Sequence, residues 1–450
     1  MRSSEVRLAV IGAGLRGTGY ARRARTTGRA RVVAVAEPDE ERRTRFAAEH
    51  GIPAENVFAD WQELLGRDRL ADAAVISTQD RMHVGPAVLA AERGYHLLLE
   101  KPMAPTEAEA VLIAEAAERH GVLLAVCHVM RYTRYTEALK ELLAKGTIGE
   151  IMNIQHLEQV GWWHQAHSFV RGNWSNEAES ASMLLAKACH DLDWMVHVKG
   201  ALPERISSFG NLVHFRPEQR PAGATANCLD CPVEAGCPYS AKRIYLDCLG
   251  DPVKEWWPLS AVTDDHTERG VLTALRDGPY GRCVYDAGND VVDSQVVDME
   301  FADGTTASFT MTAFAALEHR KTRIFGTHGS IEGDGVRLHV HDFVTDSHTT
   351  IVTDTGSDAS AAEGHGGGDE ALLDAFVEAV RSGDPRSIRS TGSESLATHR
   401  VVWAAETARR TRTVTTLSPH TLPSHQAPSP QAPPPHPPAP QVPPLTEKTR

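Results

Sequence analysis

The chain has 450 residues and carries 46 Lys and Arg against 59 Asp and Glu, a net charge of -13. That length is too great for one ordinary core and points to two domains with a cleft between them. The acidic balance excludes a basic footprint for nucleic acid or anionic lipid and leaves a small molecule as the expected ligand. Residues 1–5 lead straight into an apolar run with no signal-peptide core, and no apolar stretch reaches bilayer length; the reading is a cytoplasmic protein without a membrane partner.

Over the first 126 residues short apolar runs alternate with amphipathic ones. Strands are predicted at 6–11, 31–36, 73–76, 96–99 and 122–126, with helices at 17–27, 40–50, 84–93 and 106–120. This βαβ rhythm implies a doubly wound, Rossmann-type parallel sheet covered by helices on both faces. Thr106 with Glu109 three residues on reads as an N-cap, and Gly121 as the stop of the last helix.

Beyond Arg131 the texture changes to a helix at 137–145, a strand from 150, a long helical pattern at 183–198, and alternating segments at 296–301, 305–312, 322–325, 337–340 and 349–352. Turns such as Asp303-Gly304 and Asp334-Gly335 separate the alternating segments, which predict an α+β domain with an open, mainly antiparallel sheet crossed by the long helix. Helices at 370–381 and 393–409 close the folded part. The expected domains are therefore 1–128, 129–368 with a Cys-rich insert near 226–250, and a helical segment 369–412. The tail 417–450 holds 12 of the 26 prolines and almost nothing to bury, so it is expected to be disordered.

Gly12-Ala13-Gly14-Leu15-Arg16-Gly17 matches G-x-G-x-x-G directly after a predicted strand and at the start of a helix, the context that a dinucleotide fingerprint requires. Gly12 makes the tight turn, Gly14 lets a pyrophosphate approach the backbone, and Gly17 lets helix and strand pack closely. The phosphates then meet the free amides of a helix N-terminus. Glu37 lies twenty residues past Gly17 at the end of the second strand, where a carboxylate accepts ribose hydroxyls and repels a 2′-phosphate. NAD is therefore expected over NADP, a preference that Arg42 and Arg43 temper.

With Ser77-Thr78 and His83 after the strand at 73–76, Glu100-Lys101-Pro102, Gly146-Thr147-Ile148-Gly149-Glu150 and His190-Asp191-Leu192-Asp193, the chain resembles the Gfo/Idh/MocA family of glucose–fructose oxidoreductase and inositol dehydrogenase relatives. The resemblance runs to about Arg409. It implies an NAD(P)-dependent oxidoreductase that passes hydride between a nicotinamide and a secondary alcohol or ketone of a sugar, inositol or related polyol. By the same resemblance Ser77, Thr78, His83 and Glu100 join the cofactor contacts, Lys101 lies beside the nicotinamide, and His190 works as acid or base. Arg131 and Asp193 are further candidates for substrate contact. A Lys before Pro can also be a solvated loop residue, and a helix His a satisfied core residue. One departure stands out: where many relatives carry an Asp four residues before the His, this chain has Ala186, followed by Lys187. Lys187 faces the same side as His190 one turn away and is the candidate to supply a charge instead.

Seven cysteines without an export signal favour thiols or metal ligands over disulfides. Cys228-x2-Cys231-x5-Cys237 in a loop-rich segment reads either as part of a structural zinc site, with Cys283 or Cys248 as fourth ligand, or as reduced buried thiols. The Gly-rich segment around His365, with Asp369 as a helix N-cap, is either a linker or a lid that brings His365 over the substrate; it is partly similar to the Gly-His-Gly segment of NAD-dependent glycosidases in the same superfamily. Trp162, Trp163, His164, Arg171 and Trp174 form a patch suited to stacking on a sugar or to core packing. A redox-neutral glycoside hydrolase or lyase that keeps its NAD bound is the alternative activity, and an NAD(H) sensor the non-enzymatic one. An open sheet also predicts a homo-oligomer, dimer or tetramer.

Overall fold

The computed structural model describes residues 5–353 and 366–417; His365 and the Pro-rich tail lie outside them. In the N-terminal part β1 (Val6–Ile11), β2 (Ala30–Ala36), β3 (Val57–Phe58), β4 (Ala73–Ile76), β5 (His96–Leu99) and β6 (Leu124–Val126) form one sheet in the order β3-β2-β1-β4-β5-β6. Every pairing in it is parallel. Both faces are covered, which is why β4 is buried along its whole length and reads as an unbroken apolar run. The strand order reverses between β1 and β4, and ligands bind in the crevice that such a reversal opens at the carboxyl ends of the strands. The two-residue β3 is too short to show any periodicity and was not predictable.

The second sheet contains β7 (Ile151–Gln159), β8 (Pro203–Asn211), β9 (Ser294–Phe301), β10 (Thr306–Thr312), β11 (Lys321–Gly326), β12 (Gly329–Gly333), β13 (Arg337–Asp342), β14 (Ser347–Val352) and β15 (Thr415–Thr416). Their order is β14-β13-β12-β11-β7-β10-β9-β8-β15, antiparallel throughout except for the β7–β10 pair. The mainly antiparallel expectation holds. β8 and β12 escape a sequence reading because one alternates weakly through serines and the other is a five-residue strand with Gly at both ends.

Helix Met183–Lys199 lies across this sheet, capped by Ser182 and ended by Gly200 in the left-handed region. Only Lys187, His197 and Lys199 escape burial in it, the pattern of a helix packed on all sides. Helix Gly392–Thr411, started by the Thr391/Glu394 capping box, supplies Val401 and Val402 to the same core. Helix Gly368–Ser382 instead puts Leu372, Leu373 and Phe376 against the first sheet. Its N-cap is Gly367 rather than the expected Asp369; Asp369 sits in the first turn, where its carboxylate is taken by Arg16.

Candidate active site

Two glycines of the fingerprint loop are demanded by its packing. Gly12 has φ +92°, and a Cβ there would lie 2.7 Å from the Ser77 carbonyl oxygen; a Cβ on Gly17 would lie 2.1 Å from the Gly12 oxygen. Gly14 differs: a Cβ would meet nothing within 4 Å, so its lack of a side chain keeps open space at the uncapped start of helix Leu15–Thr27. That is the cradle a pyrophosphate needs. Ser77 Oγ donates to the Gly12 oxygen at 2.7 Å, and Thr78 Oγ1 beside it is buried without a hydrogen-bond partner. Glu37 is buried at the end of β2 and accepts from the Ala13 amide at 2.8 Å and the Asp39 amide at 3.1 Å, with Arg42 at 3.3 Å. The donors and the open space fit a dinucleotide.

Two predicted cofactor contacts instead position the loops around that cradle. His83 is fully buried, with Nδ1 2.9 Å from the Pro102 oxygen and Nε2 3.2 Å from the Thr78 oxygen, and so ties the β4 and β5 loops together. Glu100 accepts from Arg16 Nε at 2.5 Å, Tyr20 Oη at 3.0 Å and the Lys101 amide at 3.1 Å. Arg16 also reaches Asp369 at 2.5 Å, which pins the fingerprint helix to helix Gly368–Ser382.

Lys101 projects from the end of β5 across the crevice, and its Nζ donates to the Ala186 carbonyl oxygen at 2.6 Å. Ala186 thus serves through its backbone. His190, one turn further along, is buried, and its Nε2 is 2.7 Å from Arg320 Nη2. The same Nε2 lies 3.3 Å from Asp191 Oδ2; burial pushes the His190 pKa well below the usual value, with Arg320 and Lys101 adding to the effect and the Asp191 carboxylate opposing it. Lys187 does not supply the missing charge to His190. It pairs with Glu158 at 2.9 Å, and burial lowers its pKa although Glu158 opposes the shift.

Behind these groups lies a network that sequence reasoning did not find. Arg320 Nε is 2.7 Å from Glu158 and 2.8 Å from Asp191, and His156 Nε2 is 3.2 Å from Asp191. Two buried carboxylates therefore face two cations. The signal for part of it was present in β7, whose buried alternate positions Ile154, His156 and Glu158 place polar groups on the face meant for the core.

Other predicted substrate contacts are spent elsewhere. Arg131 and Asp193 form a sealed bidentate pair, 2.8 and 2.7 Å, which Thr398 completes at 2.7 Å. With exposures of 2% and 0% they are unreachable by a ligand. Burial opposes the charge of Asp193, but Arg131 and the neighbouring donors hold its pKa well below the carboxylate range. Arg171 donates to the Arg282 and Tyr239 carbonyl oxygens at 2.7 and 2.8 Å and lies against Cys228. Trp162 packs beside Tyr239 and Trp163 against Trp257. Trp174 contacts the first domain, donating to Asp80 at 3.2 Å. Asp80, unpredicted, also accepts from Ser180 at 3.1 Å and so links the two domains beside the crevice.

Cys228, Cys231, Cys237 and Cys283 line one pocket, whereas Cys248 points its thiol at the Ile244 oxygen. Among the described residues the only trio of potential ligand atoms mutually within 4.8 Å is His341, Asp346 and His348. The four thiols are therefore more widely spaced than a preformed tetrahedral zinc site, one of the two sequence readings, requires.

Comparison with known proteins agrees with this geometry. Residues 6–128 match the family model described as "Oxidoreductase family, NAD-binding Rossmann fold", and residues 140–417 match "Oxidoreductase family, C-terminal alpha/beta domain". Putative oxidoreductase YteT of Bacillus subtilis is 24% identical over 74% of this chain and 78% of its own length. The 2,7-anhydro-N-acetylneuraminate hydratase of Escherichia coli is 26% identical over 46% of this chain, which spans only 54% of that protein. A levoglucosan dehydrogenase solved with NADH and levoglucosan has the same fold, with TM-score 0.68 and 18% identity over 92% of this chain and 99% of that one. With a fingerprint cradle on one domain, a Lys reaching from it to the helix of the other, and both family models matched across the fold, the chain belongs to the Gfo/Idh/MocA family of NAD-binding oxidoreductases.

Proposed function

We propose that the protein is an NAD-dependent dehydrogenase or reductase acting on a secondary alcohol or ketone of a sugar, inositol or related polyol. The observation that carries this reading is the 2.6 Å bond from Lys101 Nζ to the Ala186 oxygen, which holds a cation of the dinucleotide domain against the helix that bears His190. Residues 12–17 would seat the pyrophosphate and Glu37 would take the adenosine ribose, its charge disfavouring a 2′-phosphate. A bound nicotinamide supplies the hydride acceptor or donor.

The chain's own groups then handle the proton. Lys101 is only partly buried, and two of its three ammonium hydrogens are not needed for Ala186; it is placed to give a proton to the forming alkoxide in reduction and, as the neutral amine, to take one from the carbinol in oxidation. His190 is the more enclosed group and its Nε2 is engaged by Arg320, so its part is secondary: it tunes and positions Lys101 or accepts a proton once Arg320 moves. This reverses the ranking that family resemblance gives. Trp174, half exposed beside the crevice, is the aromatic face best placed to meet a ring. Incubating the purified protein with NAD and a panel of sugars, inositols and polyols tests the reading through the near-ultraviolet absorbance of NADH. Stoichiometric NADH formation with one of them supports it; its absence with every carbinol and ketone tested, alongside intact NADH binding, removes it.

A second reading is favoured by the partial similarity to a hydratase: a redox-neutral hydrolase, hydratase or lyase that retains its NAD. It predicts turnover of glycosides or anhydro-sugars without net NADH.

A further inference from the structure

The segment from about residue 217 to 290 contains no strand and is carried by short helices, yet it brings four cysteines together. The Cys283 amide donates to the Ala226 oxygen at 2.8 Å, and Asn227 and Arg282 form an antiparallel bridge. In this register Cys283 lies opposite Ala226, diagonally across the bridge from Cys228, which precedes it by 55 residues in the chain. Tight turns fold the rest of the motif back: the Cys231 amide reaches the Cys228 oxygen at 3.4 Å, and the Cys237 amide reaches the Glu234 oxygen at 2.9 Å. All four thiols line one cavity of about 260 Å3, closed on the inner side by Arg171.

Arg171 is the independent sign that something anionic belongs there. It is 4% exposed, its Nη2 lies 3.5 Å from Cys228 Sγ, and its buried Nη1 has no hydrogen-bond partner. A guanidinium with an unspent donor is costly inside a protein. Thiolates held by a metal would compensate both the charge and the donor, since metal binding strips the protons from coordinating thiols.

We propose that Cys228, Cys231, Cys237 and Cys283 ligate a thiophilic metal centre, a single zinc ion or an iron–sulfur cluster, in the cavity that Arg171 closes. Both occupants use the same four-thiolate chemistry. Four-thiolate zinc needs sulfurs about 3.8 Å apart at a Zn–S length of about 2.3 Å, so zinc requires the four loops to draw inward. A cluster interposes its own iron and sulfide atoms between the thiolates and suits the wider spacing, with Arg171 donating to a cluster sulfur. In either case the centre staples the Cys-bearing loops to the helical segment Gln165–Arg171, beside the small core that Ile244, Tyr245, Leu259, Val271 and Leu275 already form.

Metal and acid-labile sulfide analysis of the full-length protein, purified without chelator and under anaerobic conditions, decides the matter on the wild type alone. One zinc per chain, or several irons with matching sulfide and a broad visible absorption, upholds the site and tells the two occupants apart. Metal-free folded protein that takes up neither zinc nor iron with sulfide on reconstitution, and in which these four thiols react freely, overturns it. Cys231→Ser and Cys283→Ser should each lose the metal, while Cys248→Ser should keep it; retention in the first two variants overturns the assignment as well.

Discussion

The two walls of the crevice are made of different materials. On the dinucleotide side the work is done by backbone: amides at a helix start, a carbonyl turn, and glycines whose missing side chains either permit contact or leave space. On the facing side it is done by side chains drawn from β7, helix Met183–Lys199 and the turn before β11, namely Glu158, Lys187, His190, Asp191 and Arg320. A backbone site is fixed by steric rules acting on neighbours in sequence. A side-chain site depends on charges that must balance each other in a low dielectric, and each removal leaves a buried partner exposed to the full desolvation penalty.

Lys101 reaches from one wall to the other, so its loss should separate them most sharply. Lys101→Ala is expected to lower kcat by about 10²–10⁴-fold, the usual worth of a positioned proton carrier, while NADH affinity measured by calorimetry stays within a few-fold. His190→Ala should cost less. If Lys101→Ala abolished NADH binding along with turnover, Lys101 would count as part of the backbone wall's cofactor grip and the division would fail.

The sealed pair Arg131–Asp193 offers the strongest stability contrast. Arg131→Met leaves Asp193 charged and enclosed, and should cost about 3–5 kcal/mol in a denaturant midpoint measurement. Arg131→Met combined with Asp193→Leu should recover most of that loss, because two apolar groups replace two ions of similar volume. A double variant no better than the single one would mean that the pair does more than satisfy its own charges.

This contrast also explains what could be read from the sequence. The fingerprint turn, the place of Glu37 at the end of β2, the βαβ rhythm and the C-terminal helices were legible because each rests on residues close together: an N-cap and its partner three residues on, or a glycine that a turn demands. Arg131, Asp193 and Arg171 were misread as substrate groups for the opposite reason. A charge beside a predicted site is indistinguishable in sequence from one sealed by a partner dozens of residues away, here Arg131 with Asp193 and Arg171 with Tyr239 and Arg282. Arg320 had no local signal at all, since its meaning comes only from the approach of Glu158 and Asp191.

A pair of glycine substitutions tests whether the backbone wall separates folding from binding. Gly17→Ala drives a methyl into the Gly12 carbonyl and the Ser77 hydroxyl and should destabilise the domain by about 1–3 kcal/mol, the usual penalty for overpacking. Gly14→Ala meets open space at an ordinary φ of -70°, so the melting temperature should hold while NADH affinity drops. Equal effects of the two on stability would mean that Gly14 is there for the fold and not for a ligand.

The smallest effect concerns two histidines beside the sealed pair. His399 donates from Nδ1 to the Ser395 oxygen at 2.7 Å, and its Nε2 accepts from the Met103 amide at 3.1 Å; because an amide can only donate, the ring must be neutral. Burial lowers the pKa of His399 to about 4, and that of His128, also buried, to about 3. The unfolded chain binds a proton at each near pH 6.5, whereas the folded chain does not until far lower pH. More protons on the unfolded state mean that stability is full above about pH 6.5 and is lost as pH falls towards 4 and 3. Each histidine should contribute a slope of about 1.4 kcal/mol per pH unit within its window. Replacing this ring, which makes no hydrogen bond, in His128→Leu should therefore flatten the stability–pH curve by one proton between about pH 6 and 4 in urea titrations, while leaving the Asp193 contribution, which fails only at much lower pH, in place. An unchanged slope in that variant would show that the ring is charged in the folded state, and that Asp193, 3.6 Å from its Nδ1, answers to two cations rather than to Arg131 alone.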